Sequence, residues 1–304
     1  MELQQTVRKS VRCQGVGLHT GATVAMAVHP APPGHGIVFR VRPSGAEIPV
    51  WPESLLNGHY ATTIGTDGVQ VQTVEHLLAA VGALGIDNLV VEVDGPELPA
   101  MDGSAQPFVS LLYAAGREEQ PALRRSLCIS ETIRVGDEDR WIEIGPAAEL
   151  RITFTLDQDH PAIGVQTASI APTERRFVDE LASARTYGFL KDLELLRQQG
   201  LARGGSLDNA VVVGQNGVLN GALRFQDEFV RHKILDVVGD LVLLGRPVVG
   251  HVVARNGGHN LNHLLVREIA RRDRHRDAAV ARAVSHPVAR SEGEARHKAR
   301  VAAL

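Results

Sequence analysis

The sequence predicts an α+β protein built from two duplicated domains, each a β-sheet covered by helices on one face. Two observations carry this prediction. Short strand-like runs separated by Gly and Pro lead into a helix–strand–helix segment, and the same order of segments occurs twice along the chain. In addition, EHLLAAVGALG in the first half weakly resembles RHKILDVVGDL in the second, with a one-residue offset between the Val-Gly pairs.

The first half begins with strand-like runs and ends with two helices. The predicted strands are TVRKSVRC, ATVAMAVHP, GIVFRVRP and HYATTIG. A helix is predicted from Thr73, a plausible N-cap, with Gly82 or Gly85 as its terminator. The strand NLVVEV and the helix QPFVSLLYAAG follow. The charged, Pro-containing stretch Gly116–Arg125 then separates the halves, which predicts domains at 1–120 and 121–272.

The second half repeats this order and adds one segment. Its predicted strands are LCISETIRV, RWIEI, ELRITFTL, GVQTASIA and VVGHVVA. Helices are predicted at Thr173–Ala182, at Asp227–Leu243 and from about Asn260. Between them, residues 191–222 form an extra helix-and-strand insert. The remaining residues, 273–304, form a basic, Ala- and Arg-rich tail that we expect to be mobile.

The composition excludes several classes of protein. With 304 residues, 44% hydrophobic and 22% charged, the chain is expected to be a soluble globular protein, and no apolar run is long enough to span a bilayer. The N-terminus lacks the apolar stretch of a secretion signal, and the two cysteines are far apart, so we expect a cytoplasmic protein with reduced thiols. The basic tail is expected to be solvated, with no nucleic-acid partner.

The segment DEFVRHKILDVVGD has two distinct faces when placed on a helix. The apolar face consists of Val230, Ile234, Val237, Val238 and Leu241, with Leu235 at its edge. The opposite face gathers His232, Lys233, Asp236 and Asp240. A solvated face with contacts between residues one turn apart would explain this second group. A metal ion held by His232 and Asp236 would explain it as well, and the segment alone does not decide between the two.

A second pair of polar residues stands in the first turn of the helix predicted from Thr73. The helix dipole favours a carboxylate such as Glu75 there, and His76 fits the rim of a core, so both have ordinary structural explanations. The pair is also typical of hydrolytic zinc sites, where a Glu base stands beside a His ligand. Combined with His232 and Asp236, His76 would leave zinc an open position, as catalytic zinc sites do.

His259 is a candidate for protonating a leaving group. It follows Gly257–Gly258 at the end of a predicted strand, where active-site residues are common, although an ordinary loop histidine fits equally well. A catalytic zinc ion lowers the pKa of a bound water toward about 7 and polarises a carbonyl group. Glu75 could then act on that water without itself binding the metal.

Six segments, in this order and at these separations, resemble the zinc-dependent UDP-3-O-acyl-N-acetylglucosamine deacetylases. They are GVGLHTG, TVEHLLAA, DQDHPAI, ARTYGF, EFVRHKILDVVGDL and GGHNLN. The resemblance covers about residues 1–270, and the combination is specific although each segment alone is not. Two departures are Tyr187, where the family often has Phe, and HYATTIG, which lacks the Cys of some members.

The resemblance implies a fold and an activity. The two α+β domains are expected to carry a small insert each and to face each other across the active site. The expected reaction is hydrolysis of the N-acetyl group of UDP-3-O-(3-hydroxyacyl)-N-acetylglucosamine to the free amine and acetate. This reaction is the committed step of lipid A synthesis.

The resemblance also implies roles for the polar residues in these segments. The expected metal ligands are His76, His232 and Asp236. Glu75 is expected to be the general base, and His259 the general acid or electrostatic stabiliser, with Asp240 orienting it and favouring its charged form. Thr186 is expected to hydrogen-bond the oxyanion.

The residues expected to contact the substrate are Lys233, His19, Phe189, Asp157 and His160. Among these, His19, Phe189 and the insert 191–222 are expected to border the channel for the acyl chain. Asp157 and His160 are expected to lie near the UDP-sugar.

The expected cofactor is zinc, with iron(II) as an alternative because N/O ligands accept both metals. The expected partner is the UDP-sugar substrate, and the protein is expected to be monomeric. Two other functions fit part of the pattern. A different zinc amidase or peptidase could use the same ligands, but would not need the acyl-channel insert or GVGLHTG. A zinc-stabilised binding module would require a closed fourth ligand position and could dispense with Glu75.

Overall fold

The computed structural model describes residues 2–285. Contacts along the chain group its residues into two units, Met1–Arg267 and Glu268–Leu304. All predicted site residues belong to the first unit.

The first half forms a five-stranded sheet, a small three-stranded sheet and two helices. Its elements are β1 Leu3–Val7, β2 Val11–Val16, β3 Thr23–Pro30, β4 Ile37–Val41, β5 Ala46–Pro49, β6 Leu55–Asn57, β7 Thr63–Thr66, β8 Val69–Val71, α1 Glu75–Ala83, β9 Leu89–Val93, α2 Gln106–Ala115 and β10 Arg117–Leu123. The large sheet has the order β2-β3-β9-β4-β5, and β6-β7-β8 form the small sheet.

The second half forms another five-stranded sheet with its own helices and insert. Its elements are β11 Leu127–Cys128, β12 Ile133–Gly136, β13 Trp141–Gly145, β14 Arg151–Gln158, β15 Gly164–Ile170, α3 Glu174–Glu180, β16 Tyr187–Phe189, α4 Leu193–Gln198, β17 Val211–Val213, α5 Glu228–Leu241, β18 Val248–Val249, β19 His251–Arg255 and α6 His259–Ser285. The sheet has the order β12-β13-β19-β14-β15.

The two large sheets have the same topology. In each, the strand that comes last in the chain lies in the middle, antiparallel to one neighbour and parallel to the other: β9 between β3 and β4, and β19 between β13 and β14. A helix precedes this central strand in both halves, α1 in the first and α5 in the second. The predicted fold class, a duplicated α+β unit, is confirmed.

Each large sheet buries one face, and helices α1 and α5 pack against each other where the two halves meet. Residues along β14 and β19 alternate between buried and half-exposed positions, as expected for strands with a single covered face. Helix α5 packs on β14 and on α1. The five residues predicted for its apolar face are all buried, which confirms that part of the periodicity.

Two glycines allow α1 and α5 to approach closely. A Cβ on Gly239 would lie 2.1 Å from the carbonyl oxygen of Glu75, and a Cβ on Gly82 would lie 2.6 Å from the side chain of Val242. A larger residue at Gly239 would therefore meet backbone rather than a flexible side chain. This contact brings the first turn of α1 against the middle of α5.

Several local predictions need correction. TVRKSVRC forms two strands rather than one, because the chain turns between β1 and β2. The stretch Gly116–Arg125, predicted to be a linker, contains β10, which pairs with β1. The register of this pairing shifts between Leu3 and Gln4, and Pro121 has no partner there. Thr73 is not an N-cap: it has φ +58°, and the residue at the cap position is Val74. Gly85, with φ +70°, follows the C-cap of α1, as a terminating glycine should.

From the shared topology of the two sheets, we propose the division into domains 1–120 and 121–272.

The tail predicted at 273–304 is helical as far as Ser285. The rest of that prediction falls on residues 286–304, which lie outside the described residues. No helix within residues 2–285 is both long enough and apolar enough to cross a membrane.

Candidate metal centre and surrounding site

Helices α1 and α5 bring together residues from the two halves of the chain. Glu75 and His76 occupy the first turn of α1, and His232 and Asp236 lie one turn apart on α5. All four side chains are buried, none more than 4% exposed. The alternative of a solvated face on α5 is therefore wrong, because α1 covers the polar strip that contains His232 and Asp236.

His76, His232 and Asp236 form what we call the metal-ligand cluster. One ligand atom from each lies within 4.8 Å of the other two. The Oδ1 atom of Asp236 is 3.3 Å from Nε2 of His232 and 3.9 Å from Nε2 of His76. Three donors of the types that bind divalent metals thus converge on one small volume.

The hydrogen bonds around this cluster leave its inner atoms free for an ion. Nδ1 of His232 donates to the carbonyl oxygen of Ala184 at 3.1 Å, which leaves the Nε2 lone pair facing the cluster. Among the described residues, Oδ1 of Asp236 is buried without a hydrogen-bond partner. A buried carboxylate oxygen left without a donor is costly unless a cation satisfies it, so these residues fit a divalent metal.

The ionisation states of the cluster also suit a metal. Burial, reinforced by the neighbouring His232, lowers the pKa of His76 to about 3, and burial lowers the pKa of His232 as well. Both imidazoles are therefore neutral near pH 7, as metal ligation requires. Burial alone would raise the pKa of Asp236, but His232 and Lys233 hold it well below its ordinary value, so this group is a carboxylate.

Glu75, the predicted base, lies beside the cluster and close to His259. Its Oε1 atom is 3.7 Å from Nε2 of His259, and its Oε2 atom accepts a hydrogen bond from the backbone N–H of Thr62 at 3.0 Å. Burial raises the pKa of Glu75 to about 7. A carboxyl group with such a pKa can accept a proton near neutrality, which is the property a general base needs.

His259, the predicted acid, is the first residue of α6 and is held by Asp240. Its Nδ1 atom lies 2.9 Å from Oδ2 of Asp240, which also accepts a hydrogen bond from Asn262. Burial alone would lower the pKa of His259, but the carboxylates of Asp240 and Asp236 raise it to about 9. The imidazole is therefore charged at neutral pH, with Nε2 directed toward Glu75 and Asp236.

Lys233 contacts the metal-ligand cluster directly, and Thr186 is close in sequence to a residue that holds one of its members. Thr186 stands two residues beyond Ala184, whose carbonyl holds His232, and its backbone N–H donates to the carbonyl oxygen of Gly103 at 2.8 Å. The Nζ atom of Lys233 is 2.8 Å from Oδ2 of Asp236. Burial opposes the charge of Lys233, but the Asp236 carboxylate offsets this effect and raises the lysine pKa.

The other predicted substrate residues lie around the insert of the second half. His19 is buried, both of its ring nitrogens lack partners among the described residues, and burial lowers its pKa. Its carbonyl oxygen accepts the N–H of Arg203 in the insert at 3.1 Å. Phe189 and His160 contact each other, with ring centroids 5.6 Å apart. Asp157 instead pairs with Arg255 at 2.6 Å, at the end of β14.

Sequence reasoning missed a group of residues that support the site. Thr62, Asn262 and His263 surround Asp240, and all three are buried. Their segments have no periodic pattern that would single them out. HYATTIG contains two adjacent threonines, and only their positions in the fold distinguish them.

Two buried carboxylates were missed as well. Glu97 is fully buried and accepts hydrogen bonds from the backbone N–H groups of His19 and Thr20 and from the hydroxyls of Thr20 and Thr73. It therefore ties the loop that carries His19 to the strained residue Thr73, just before α1. Glu228 is also fully buried and binds Arg185, the residue before Thr186, through both of its oxygens.

Comparison with known proteins gives one consistent result. The model of the family UDP-3-O-acyl N-acetylglycosamine deacetylase (LpxC) matches residues 4–271. A UDP-3-O-acyl-N-acetylglucosamine deacetylase of Myxococcus xanthus (strain DK1622) is 52% identical over 270 residues, which cover 88% of this chain and 86% of the relative. Proteins of the same name from Syntrophotalea carbinolica (strain DSM 2380 / NBRC 103641 / GraBd1) and Haemophilus influenzae (strain 86-028NP) are 47% and 46% identical.

Those two alignments each cover 88% of this chain, and they cover 88% and 89% of the respective relatives. The match to the family model, residues 4–271, spans nearly all of the first compact unit and includes every residue of the metal-ligand cluster. The chain belongs to the family of the UDP-3-O-acyl-N-acetylglucosamine deacetylases.

Proposed function

We propose that this protein hydrolyses the N-acetyl group of UDP-3-O-(3-hydroxyacyl)-N-acetylglucosamine, giving the free amine and acetate. This is the committed step of lipid A synthesis. The observation that carries the proposal is the convergence of His76, His232 and Asp236 beside the buried pair of Glu75 and His259, in a chain of this family.

We propose zinc as the metal, with iron(II) as an alternative. Two imidazoles and one carboxylate suit both ions, and three protein ligands leave a position for water or substrate. When bound, such an ion acts as a Lewis acid, polarising a carbonyl group and making a nearby water more acidic.

The residues beside the metal-ligand cluster would carry out the proton transfers. Glu75 takes a proton from the water whose oxygen attacks the acetyl carbon, and the hydroxyl of Thr186 donates a hydrogen bond to the oxygen that gains negative charge. As the C–N bond breaks, His259 gives its Nε2 proton to the departing amine. Asp240 keeps that imidazole charged and oriented, and its pairing with Nδ1 at 2.9 Å supports this role.

The substrate would be held on both sides of this centre. We propose that Lys233 contacts polar groups of the sugar, and its bond to Asp236 at 2.8 Å, beside the metal-ligand cluster, supports this role. The insert 191–222 carries half-buried leucines at Leu193, Leu196 and Leu201, and its backbone bonds to the loop of His19 support an acyl passage there. Asp157 and His160 remain proposed contacts of the UDP-sugar. The cytoplasmic location and the monomeric state remain predictions.

The direct test is acetate release from the UDP-3-O-acyl sugar, with metal content measured on the same sample. We expect turnover that requires about one divalent ion per chain. An N-acetylated peptide is the control, because an unrelated zinc amidase or peptidase would act on the peptide and a binding module would act on neither compound.

The acyl chain provides a second test. Each buried methylene contributes about 0.8 kcal/mol, so a chain of about ten carbons supplies several kcal/mol after ordering costs. A UDP-sugar without the acyl group should therefore have a much lower kcat/KM. Equal kcat/KM values for the two compounds would contradict the proposed lipid precursor.

A further inference from the structure

We infer that Thr62, supported by His263, is a positioning residue that holds the base Glu75 and the acid–carboxylate pair His259–Asp240 in fixed relation. This inference rests on the proposed deacetylation. The geometry that points to it is a single buried residue that hydrogen-bonds with both halves of the proton-transfer machinery.

Thr62 uses its backbone for one partner and its side chain for the others. Its N–H donates to Oε2 of Glu75 at 3.0 Å, and its hydroxyl donates to Oδ1 of Asp240 at 2.5 Å. The residue is fully buried, so water does not compete for these bonds. Glu75 belongs to α1 and Asp240 to α5, and Thr62 therefore links the two helices that form the site.

Counting protons fixes the direction of the remaining bonds. A hydroxyl has one proton, and Asp240 is acceptor-only when ionised, so the Thr62 proton points to Asp240. The Thr62 oxygen then accepts from Nε2 of His263 at 2.9 Å. It also lies 3.1 Å from Nδ1 of His259, whose single N–H it shares with Oδ2 of Asp240 at 2.9 Å. Both nitrogens must carry hydrogen for this network to be satisfied. Nδ1 of His259 is thereby held as a donor, and its Nε2 faces Glu75 at 3.7 Å.

The placement of Thr62 is specific to one short segment. It immediately precedes β7, in the small sheet of the first half, and the nearby Gly58 lies against the ring of His263, where a Cβ would come within 2.6 Å. The segment just before β7 therefore lies against the first turns of α6 and places one hydroxyl between Asp240 and two histidines. The next residue, Thr63, is also buried at 2% exposure, but its side chain has no hydrogen bond among the described residues.

The test compares three substitutions in the metal-loaded enzyme. Thr62→Val keeps the shape and the N–H bond to Glu75 but removes the hydroxyl. We expect kcat to fall about 10–100-fold, the loss typical when a supporting hydrogen bond is removed, with little change in KM or metal content. Thr62→Ser restores the hydroxyl and should return kcat to within a few-fold of wild type. Thr63→Val, the matched control, should behave like wild type.

A second measurement does not depend on turnover. In ¹⁵N-histidine-labelled, metal-loaded protein, the Nδ1–H resonance of His259 should shift in Thr62→Val, return in Thr62→Ser and stay unchanged in Thr63→Val. If Thr62→Val does not fold, His263→Leu, which removes the donor on the other side of the hydroxyl, should produce the same changes to a smaller extent.

An unchanged kcat in folded Thr62→Val, equal losses in both valine variants, or failure of serine to rescue would overturn the inference. If the wild-type protein released no acetate, the proposed function would fall. The His259 resonance would still decide whether Thr62 positions the imidazole, so the two failures are distinguishable.

Discussion

Within residues 2–285, two groups of buried side chains have the composition of a metal site, and they differ in how their polar atoms are satisfied. The metal-ligand cluster and the group of Asp240, His259 and His263 each place three ligand-type atoms within 4.8 Å of one another. In the first, Oδ1 of Asp236 is left without a partner among the described residues. In the second, both oxygens of Asp240 accept hydrogen bonds.

This difference favours the metal-ligand cluster over the second group as the proposed site of a metal ion. Neutral imidazoles beside a carboxylate oxygen without a donor have an unmet need for a cation, whereas a carboxylate that is already paired would have to lose its donors to accept one. Proximity of ligand-type atoms is therefore insufficient, and the hydrogen bonds around them decide. The first group is suited to a metal and the second to holding and moving a proton.

The largest expected effect comes from removing one carboxylate charge in each group. Asp236→Asn should lower metal affinity more than about 100-fold, beyond the loss typical of a supporting residue, and abolish most turnover. Asp240→Asn should keep the metal but lose rate, because His259 loses its orienting carboxylate. Metal content after dialysis, measured on both variants, checks this prediction.

The comparison fails if the two variants lose metal equally. Thermal unfolding with and without added zinc provides the control, because a ligand that binds only the folded state raises its stability. Asp240→Asn should keep this response to zinc, and Asp236→Asn should lose it.

The next largest effect concerns Glu75, which lies between the two groups. Glu75→Gln keeps the shape of the side chain and removes the proton acceptor, so the rate should fall by about 10²–10⁴ while the metal remains bound. Acetate release and metal content, measured together, test this. Full turnover in Glu75→Gln would move the base role to another residue.

A smaller effect, on stability, extends the comparison to a buried ion pair. Glu228 binds Arg185 through both oxygens behind the metal-ligand cluster, and neither side chain is more than 10% exposed. Glu228→Gln leaves the guanidinium without its counter-charge and should cost about 3 kcal/mol of unfolding free energy. The exposed pair of Glu47 and Arg40 is the control, where Glu47→Gln should cost less than about 1 kcal/mol.

The buried pair of Glu228 and Arg185 also predicts how stability depends on pH. Burial alone would raise the pKa of Glu228, but hydrogen bonds from Arg185 and from the backbone N–H of Arg224 lower it overall. A carboxyl group whose pKa is lower in the folded state stabilises the fold above its unfolded pKa, about 4.3 for Glu, and this contribution is lost as the pH falls through the folded value. The difference in unfolding free energy between wild type and Glu228→Gln should therefore narrow in acid. If this difference in unfolding free energy stayed constant with pH, the charge of Glu228 would not be the source of the stabilisation.

The sequence predicted the parts of the protein that periodic patterns encode. Alternating strands and the amphipathic face of α5 led to the duplicated α+β fold. The spacing of His232 and Asp236 allowed a metal-binding strip, which only the family resemblance favoured over a solvated face. The roles of Glu75 and His259 came from adjacency and family resemblance. These features depend on residues close in the chain, where helix and strand geometry fix the directions of side chains.

The remaining features depend on contacts between distant segments. Thr62 and Thr63 are indistinguishable in sequence, and only the tertiary packing of the segment just before β7 gives Thr62 its four partners. Thr73 has the residue type of an N-cap, but its hydrogen bond to Glu97 accompanies φ +58°, which no local rule predicts for a β-branched residue. Tertiary contacts override local preference at both positions.

The close contact of Gly239 with the backbone of Glu75 has a consequence for synthesis of the chain. It joins a residue made early to one made late, and His259 follows later still. A nascent chain on the ribosome therefore holds Glu75 and His76 for most of elongation without the partners that complete the site. In the proposed mechanism, a metal can be bound only after α5 has emerged, and the proton donor arrives only with α6, so activity requires nearly all of the first compact unit.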